Sequence, residues 1–185
     1  MKNTKIQIRE TNSKDFNDIM LVEERAFGMK KEAELTADLL NDETASPIMS
    51  LLAFDGDRAV GHIIFTRVYM DKLEPNQALI HILAPLAVIP EYHKRGIGAM
   101  LIREGIKRLK EMGSEMVFVL GHIGYYDRFD FIVDAKTLGY EAPFPIPEEF
   151  KDAWMVQSLK SDKFHIPAGK IVCSNALNKQ KHWRE

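Results

Sequence analysis

VIPEYHKRGIGAMLIREGIKRLKEMG, residues 88–113, decides how the rest of the chain is read. An apolar strand end meets Pro90, the basic run His93-Lys94-Arg95 follows, and Gly96 and Gly98 lead straight into a charged stretch. Within that stretch Ile97, Leu101, Ile102, Ile106 and Leu109 recur at helical spacing, and Gly113 stands where a left-handed helix end belongs. Residues 79–88 upstream and 116–120 downstream are nearly all apolar, as strands buried on both faces are. Residues 79–120 therefore read as a β-α-β unit whose strands lie parallel and adjacent or nearly so. Pro85 falls inside the first strand. Its nitrogen carries no hydrogen for the ladder, so the sheet is expected to be disturbed there.

The turn between strand and helix has the makings of an anion site. A helix N-terminus presents unpaired N–H groups and a partial positive charge, and glycines let a ligand approach the backbone. Lys94 and Arg95 add formal charge, and His93 adds more when protonated. The bland alternative is that Gly96 and Gly98 merely let the helix pack closely on the strand. Two familiar phosphate loops do not fit. A P-loop has Gly-Lys-Ser/Thr, whereas Gly98 is followed by Ala99 and Met100. The dinucleotide fingerprint has a third glycine where this chain has Leu101, and an acidic residue after the next strand where this chain has Gly121-His122.

The run Leu86-Ala87-Val88-Ile89-Pro90-Glu91-Tyr92-His93-Lys94-Arg95-Gly96-Ile97-Gly98-Ala99-Met100-Leu101-Ile102 resembles the acetyl-CoA motif of the GNAT superfamily of N-acetyltransferases. Downstream, Gly121-His122-Ile123-Gly124-Tyr125-Tyr126-Asp127-Arg128-Phe129-Asp130-Phe131 is similar to that superfamily's Y-x-x-x-G-F segment. Gly61-His62 and the late Trp154-Met155-Val156 resemble one bacterial subfamily of predicted acetyltransferases. Two positions depart from the pattern: His93 replaces the usual Gln or Arg, and Asp130 replaces the usual Gly.

The resemblance implies a mixed α/β fold. It has a mostly antiparallel central sheet, helices on both faces, and a splayed parallel strand pair that receives acetyl-CoA. On this chain the backbone of Leu86, Ala87 and Val88 would pair with the pantetheine arm. The turn His93, Lys94, Arg95, Gly96, Ile97, Gly98 and Ala99 would hold the diphosphate. Tyr126 matches the acid that protonates the departing thiolate, with Tyr125 as runner-up. The strand glutamate that serves many relatives as base is missing. His81 is the titratable side chain on that strand, with Glu23 and Glu24 on a helix as further candidates. The helices within residues 15–40 and the loop around Pro143, Pro145 and Pro147 are expected to shape the acceptor pocket. The implied activity is direct transfer of an acetyl group to a primary amine. A non-catalytic acyl-CoA sensor of the same fold is the alternative.

The remaining sequence is consistent with that frame. Residues 5–9 alternate as a short strand, residues around 16–27 and 31–40 form helices, and residues 48–54 and 60–70 make a hairpin across Asp55-Gly56-Asp57. Tyr125-Tyr126 is expected to open a short helical turn, and residues 153–159 to form a strand. Residues 161–185 read as a C-terminal extension to one acetyltransferase domain, 1–185, whose core is about 5–160; the tail packs on the core and frays from residue 179. A length of 185 residues suits one domain better than two. A net charge of -2 argues against nucleic acid as partner, which favours a basic excess. No apolar run approaches the about 20 residues of a membrane span, and residues 1–15 contain no signal-peptide core, so a cytoplasmic location is expected. The lone Cys173 forms no internal disulfide and reads as an inert thiol. The six histidines show no metal-ligand spacing, so no metal is expected. A homodimer is compatible with such folds.

Overall fold

The computed structural model describes residues 5–160 and 164–183. The chain begins with β1 (Gln7–Glu10), α1 (Phe16–Phe27) and α2 (Lys31–Leu40). Gly28 ends α1 at φ +69, a conformation that costs glycine little. The hairpin β2 (Met49–Asp55) and β3 (Arg58–Met70) follows, then β4 (Ile80–Val88), α3 (Ile97–Met112) and β5 (Met116–Leu120). The short α4 (Ile123–Tyr126), β6 (Tyr140–Glu141), β7 (Trp154–Ser158) and β8 (Gly169–Cys173) complete the elements. The six main strands lie in the order β1-β2-β3-β4-β5-β7, with β8 pairing the end of β3 and β6 pairing β8. Among these pairings β4–β5 and β6–β8 are parallel and the others antiparallel. The mixed, mostly antiparallel sheet expected from the sequence is thus present.

Alternation along β3 assigns the faces. Gly61 faces Ile97 and Leu101 of α3, and Phe65 lies under Gly105 of the same helix. The next residue along, His62, reaches the opposite face and bonds Glu23 of α1. The helices therefore cover both faces. The core is continuous with this arrangement: Ile63, Phe65, Leu101 and Leu109 are fully buried in one cluster, and Ile64, Leu39, Phe118 and Trp154 in the other. A Cβ on Gly105 would stand 2.3 Å from the Phe65 ring, so the close approach of α3 to the sheet depends on that glycine.

Pro85 breaks the sheet as expected. The β3–β4 register shifts between Ile63 and Phe65, opposite Ala84 and Pro85. The β4–β5 ladder runs from Ile80↔Met116 to Leu83↔Val119 and ends there. β4 continues to Val88 on its β3 side, so its last residues face β5 with no ladder between them.

The expected extension at residues 161–185 does more than pack loosely. Residues 161–163 and 184–185 lie outside the described residues, but 164–183 include β8, which the sequence reading missed, and a turn at Gln180–His182. Fraying from residue 179 is corrected for the described part: Trp183 is buried, and its indole N–H donates to the Leu177 carbonyl at 3.0 Å. Tyr125 and Tyr126 end the first helical turn after β5 rather than opening it.

Candidate active site

The strand-to-helix turn has the geometry of an anion cradle. Lys94 and Gly96 both take left-handed φ values, 60 and 78, and α3 starts directly after Gly96. The first intrahelical bond runs from the Met100 N–H to the Gly96 carbonyl at 3.0 Å, and no side chain caps this end. The N–H groups of Ile97, Gly98 and Ala99 therefore point forward out of the helix. His93 is exposed, and its Nε2–H donates to the Val88 carbonyl at 2.7 Å, which ties the turn back onto β4. The Arg95 guanidinium lies over the Tyr92 ring, 4.7 Å from its centre, and the Tyr92 hydroxyl donates to Asp55 at 2.7 Å. Gly98 is close to Tyr125: a Cβ there would meet the Tyr125 hydroxyl at 2.2 Å.

A pocket of about 300 Å³ opens where β4 and β5 part. Leu83, Ala84, Pro85 and Leu86 of β4 face Val119 and Leu120 of β5 across it. Tyr126 lines it and is only 9% exposed. Gly121 makes room for that ring, since a Cβ there would stand 2.6 Å from Tyr126. Tyr125 and Phe131 pack edge-on against it at 5.2 and 5.8 Å between centres. Burial holds the Tyr126 hydroxyl well above the usual phenol range, so it carries its proton at neutral pH. Asp130, which stands where the motif it resembles usually has glycine, takes φ 64, a left-handed conformation that glycine adopts most readily.

The other walls come from distant segments. Phe27, Lys31, Glu32 and Leu35 contribute from the first two helices, and Leu177, Lys181, His182 and Trp183 from the C-terminal segment. The helices within residues 15–40 therefore reach this pocket, whereas the proline loop does not. Pro145 lines a separate hollow with Phe144, Ile146 and Lys170. The C-terminal wall was not anticipated.

The expected bases fare differently. His81 is fully buried. Its Nε2–H donates to the Pro47 carbonyl at 3.1 Å, which leaves Nδ1 to accept from the Ser114 hydroxyl at 2.9 Å. Burial pulls its pKa down to about 4. Both its nitrogens are engaged and it is not among the residues that line the pocket, so in this arrangement His81 holds segments together. Glu24 is exposed to solvent. Glu23 is fully buried, and His62 Nδ1–H donates to its Oε1 at 2.5 Å. The other His62 nitrogen meets the Ser50 hydroxyl at 2.9 Å. Burial pushes Glu23 up, His62 pulls it down, and the charge of Glu32 raises it further. The carboxylate that does line the pocket is Glu32, which the sequence reading passed over. Cys173 is buried and is not among the pocket-lining residues, and burial raises its thiol to about 12.

Comparison with known proteins agrees with this geometry. Residues 7–133 match the family model of an acetyltransferase (GNAT) domain. The chain is 53% identical over 165 residues to YjhQ of Escherichia coli K12, an uncharacterized N-acetyltransferase, covering 89% of this chain and 90% of that one. It is 32% identical over 136 residues to the N-acetyltransferase YhbS of the same organism, covering 70% of this chain and 78% of YhbS. The crystal structure of Escherichia coli YhbS in complex with CoA superposes with a TM-score of 0.84 at 26% identity, covering 97% of this chain and 95% of that one. A GNAT acetyltransferase from Brucella melitensis in complex with acetyl-CoA gives 0.74 at 26% identity, covering 95% of this chain and 99% of that one.

Proposed function

The chain belongs to the GNAT family of acetyltransferases, and we propose on that footing that it moves the acetyl group of acetyl-CoA directly onto a primary amine. The observation that carries this reading is the parting of β4 and β5 after Leu83, with Tyr126 lining the gap and the uncapped start of α3 nearby in the same unit. The N–H groups of Ile97, Gly98 and Ala99 bind the diphosphate, assisted by the charges of Lys94 and Arg95. His93 acts indirectly, by holding the turn against Val88. The backbone of Leu86, Ala87 and Val88 pairs with the pantetheine amides as an added strand does. One backbone N–H there faces the carbonyl oxygen as it gains charge.

In the transfer, the amine nitrogen bonds to the thioester carbon and the carbon–sulfur bond breaks. The sulfur leaves with the bonding electrons and takes the Tyr126 proton. The proton shed by the new amide nitrogen makes good the one that Tyr126 gave. A buried phenol is suited to this, because it stays protonated until a strong base forms beside it. A role as a mere acyl-CoA sensor leaves unexplained why the pocket at the gap extends past the parted strands to walls from the first two helices and the C-terminal segment.

The test is thermal unfolding with acetyl-CoA, NAD or ATP. A ligand at 100 times its Kd adds about 2.7 kcal/mol of stability, so the melting temperature rises with acetyl-CoA and stays put with the other two. Gly98→Glu sets a carboxylate against the diphosphate and the Tyr125 hydroxyl, and abolishes that rise. A folded Gly98→Glu protein with wild-type acetyl-CoA affinity would sink the assignment of the turn.

A further inference from the structure

Two carboxylates meet where α1 and α2 border the acceptor pocket. Glu32 lines the pocket, and its Oε2 is shut off from solvent with no hydrogen-bond partner among the described residues. Glu23 stands close enough for the charge of Glu32 to be felt. It is fully buried, with Oε1 held by His62 and Oε2 equally unpartnered. Buried carboxylate oxygens without donors are costly, and a native fold keeps them where something supplies the donors. The Ser50–His62–Glu23 chain explains one oxygen of Glu23 and nothing of Glu32. A protonated amine has three N–H donors and a full positive charge, which is what this corner lacks.

Building on the acetyltransferase reading above, we propose that Glu32 receives the ammonium group of the acceptor and takes its proton, and that the acceptor is a small primary amine with an apolar body and no second cation. The body faces Phe27, Leu35, Leu177 and Trp183. The exclusion of a second cation comes from Lys31 and Lys181, which line the same pocket. The titratable groups around Glu32 are Glu23 from α1, Lys31 beside it on α2, Tyr126 from α4, and Lys181 and His182 from the C-terminal segment. Burial and the neighbouring lysines hold His182 below the usual imidazole range, so it adds no charge at neutral pH.

The step balances. An alkylammonium has a pKa of about 10.4, so at pH 7 its nitrogen has no free electron pair. One N–H bond breaks, its proton passes to Glu32, and the pair left on nitrogen attacks the thioester carbon. Tyr126 protonates the leaving sulfur, as described above, and the proton on Glu32 leaves to solvent as product departs.

The test uses three amines of one length and different distal charge: hexylamine, 6-aminohexanoate and 1,6-diaminohexane. They are titrated calorimetrically into the protein saturated with CoA. Hexylamine and 6-aminohexanoate should bind, with 1,6-diaminohexane at least about tenfold weaker and hexan-1-ol undetectable. Glu32→Gln should weaken hexylamine by at least about tenfold and leave CoA affinity unchanged. With acetyl-CoA, hexylamine turnover by Glu32→Gln should fall about a hundredfold near pH 7, a size usual for a lost general base. It should recover at about pH 9.5, where more of the amine is already neutral, and Glu32→Asp should retain part of it. A merely structural Glu32 would not produce that recovery. Wild-type behaviour of Glu32→Gln, equal binding of the diamine, or binding without acetylation each overturns the inference. So does CoA binding with no amine binding, which leaves the acetyltransferase reading standing. A folded wild-type protein that fails to bind CoA overturns that reading itself.

Discussion

Tyr126 is a buried phenol that faces a cavity, and both halves of that description matter. Burial denies the phenolate its solvation, so the hydroxyl gives up a proton only to a strong base formed at close range, such as a departing thiolate. Gly121 makes room for its ring, and the rings of Tyr125 and Phe131 pack edge-on against it. Tyr126→Phe keeps the ring and its packing. It should lower kcat about tenfold or more in steady-state assays while the Kd for acetyl-CoA from calorimetry stays the same; unchanged turnover under rate-limiting chemistry would remove Tyr126 from the reaction. At this scale legibility divides cleanly. Tyr126 sits in a local word, Tyr125-Tyr126-Asp127-Arg128-Phe129-Asp130-Phe131, that can be read as a unit. Glu32 belongs to no such word. A glutamate in the first turn of an amphipathic helix is ordinarily a solvated partner of the helix dipole. Only packing against other segments turns it inward. The Ser50–His62–Glu23 chain is likewise invisible, because its members are 12 and 39 residues apart.

His81 shows what a titratable side chain does when it serves elements rather than chemistry. Its ring joins β4 to the Ser114 turn ahead of β5 and to Pro47 ahead of β2. Its native pKa of about 4 lies below its usual 6.5, so the folded state binds the proton less well than the unfolded state does. The stability this supplies is complete above pH 6.5 and is lost as pH falls toward 4. A shift of that size corresponds to about 3 kcal/mol over the window. Urea unfolding at intervals from pH 7 to pH 4 should show that decline, and His81→Gln should flatten it while starting from a lower stability. An unaltered slope in the variant would assign the acid lability elsewhere. Elements themselves were readable wherever the pattern was long. α2 was expected at residues 31–40 and occurs there, and α3 ends at Gly113 in the left-handed conformation expected of it. Pro85 announced the break in β4 because a missing N–H is a property of one residue. β8 and β6 were missed for the opposite reason. Five residues with a glycine and a lysine become a strand only when the end of β3 offers a partner, and two residues alone only when β8 does.

The whole molecule decides where the pocket proposed for the acceptor ends. Its C-terminal wall is anchored at many points far apart in sequence. The Ala176 N–H donates to Asp42 at 2.7 Å and the Asn175 N–H to Thr44 at 2.9 Å. Trp183 packs edge-on against Trp154 of β7 at 5.6 Å, and Trp154 stacks on Phe118 of β5 at 5.1 Å. The pocket wall thus continues, ring by ring, into the core beneath the parted strands. No local pattern carries that information, since the tail's place depends on contacts with β7 and with the segment ahead of β2. Trp183 therefore has two duties, which one variant separates. Trp183→Ala removes a large buried side chain, for which a loss of about 3–5 kcal/mol is usual, and denaturant unfolding should show a lower midpoint. It also removes one wall of the acceptor pocket while leaving the turn at residues 93–99 untouched. In conditions where the variant is folded, the KM for hexylamine should rise several-fold and the Kd for acetyl-CoA should not move. Trp183→Phe, which keeps an aromatic wall, should restore most of the amine KM and part of the stability. If both ligands weaken together, the tail supports the fold as a whole and not the acceptor side. If neither weakens, the acceptor enters by a route that the C-terminal segment does not border.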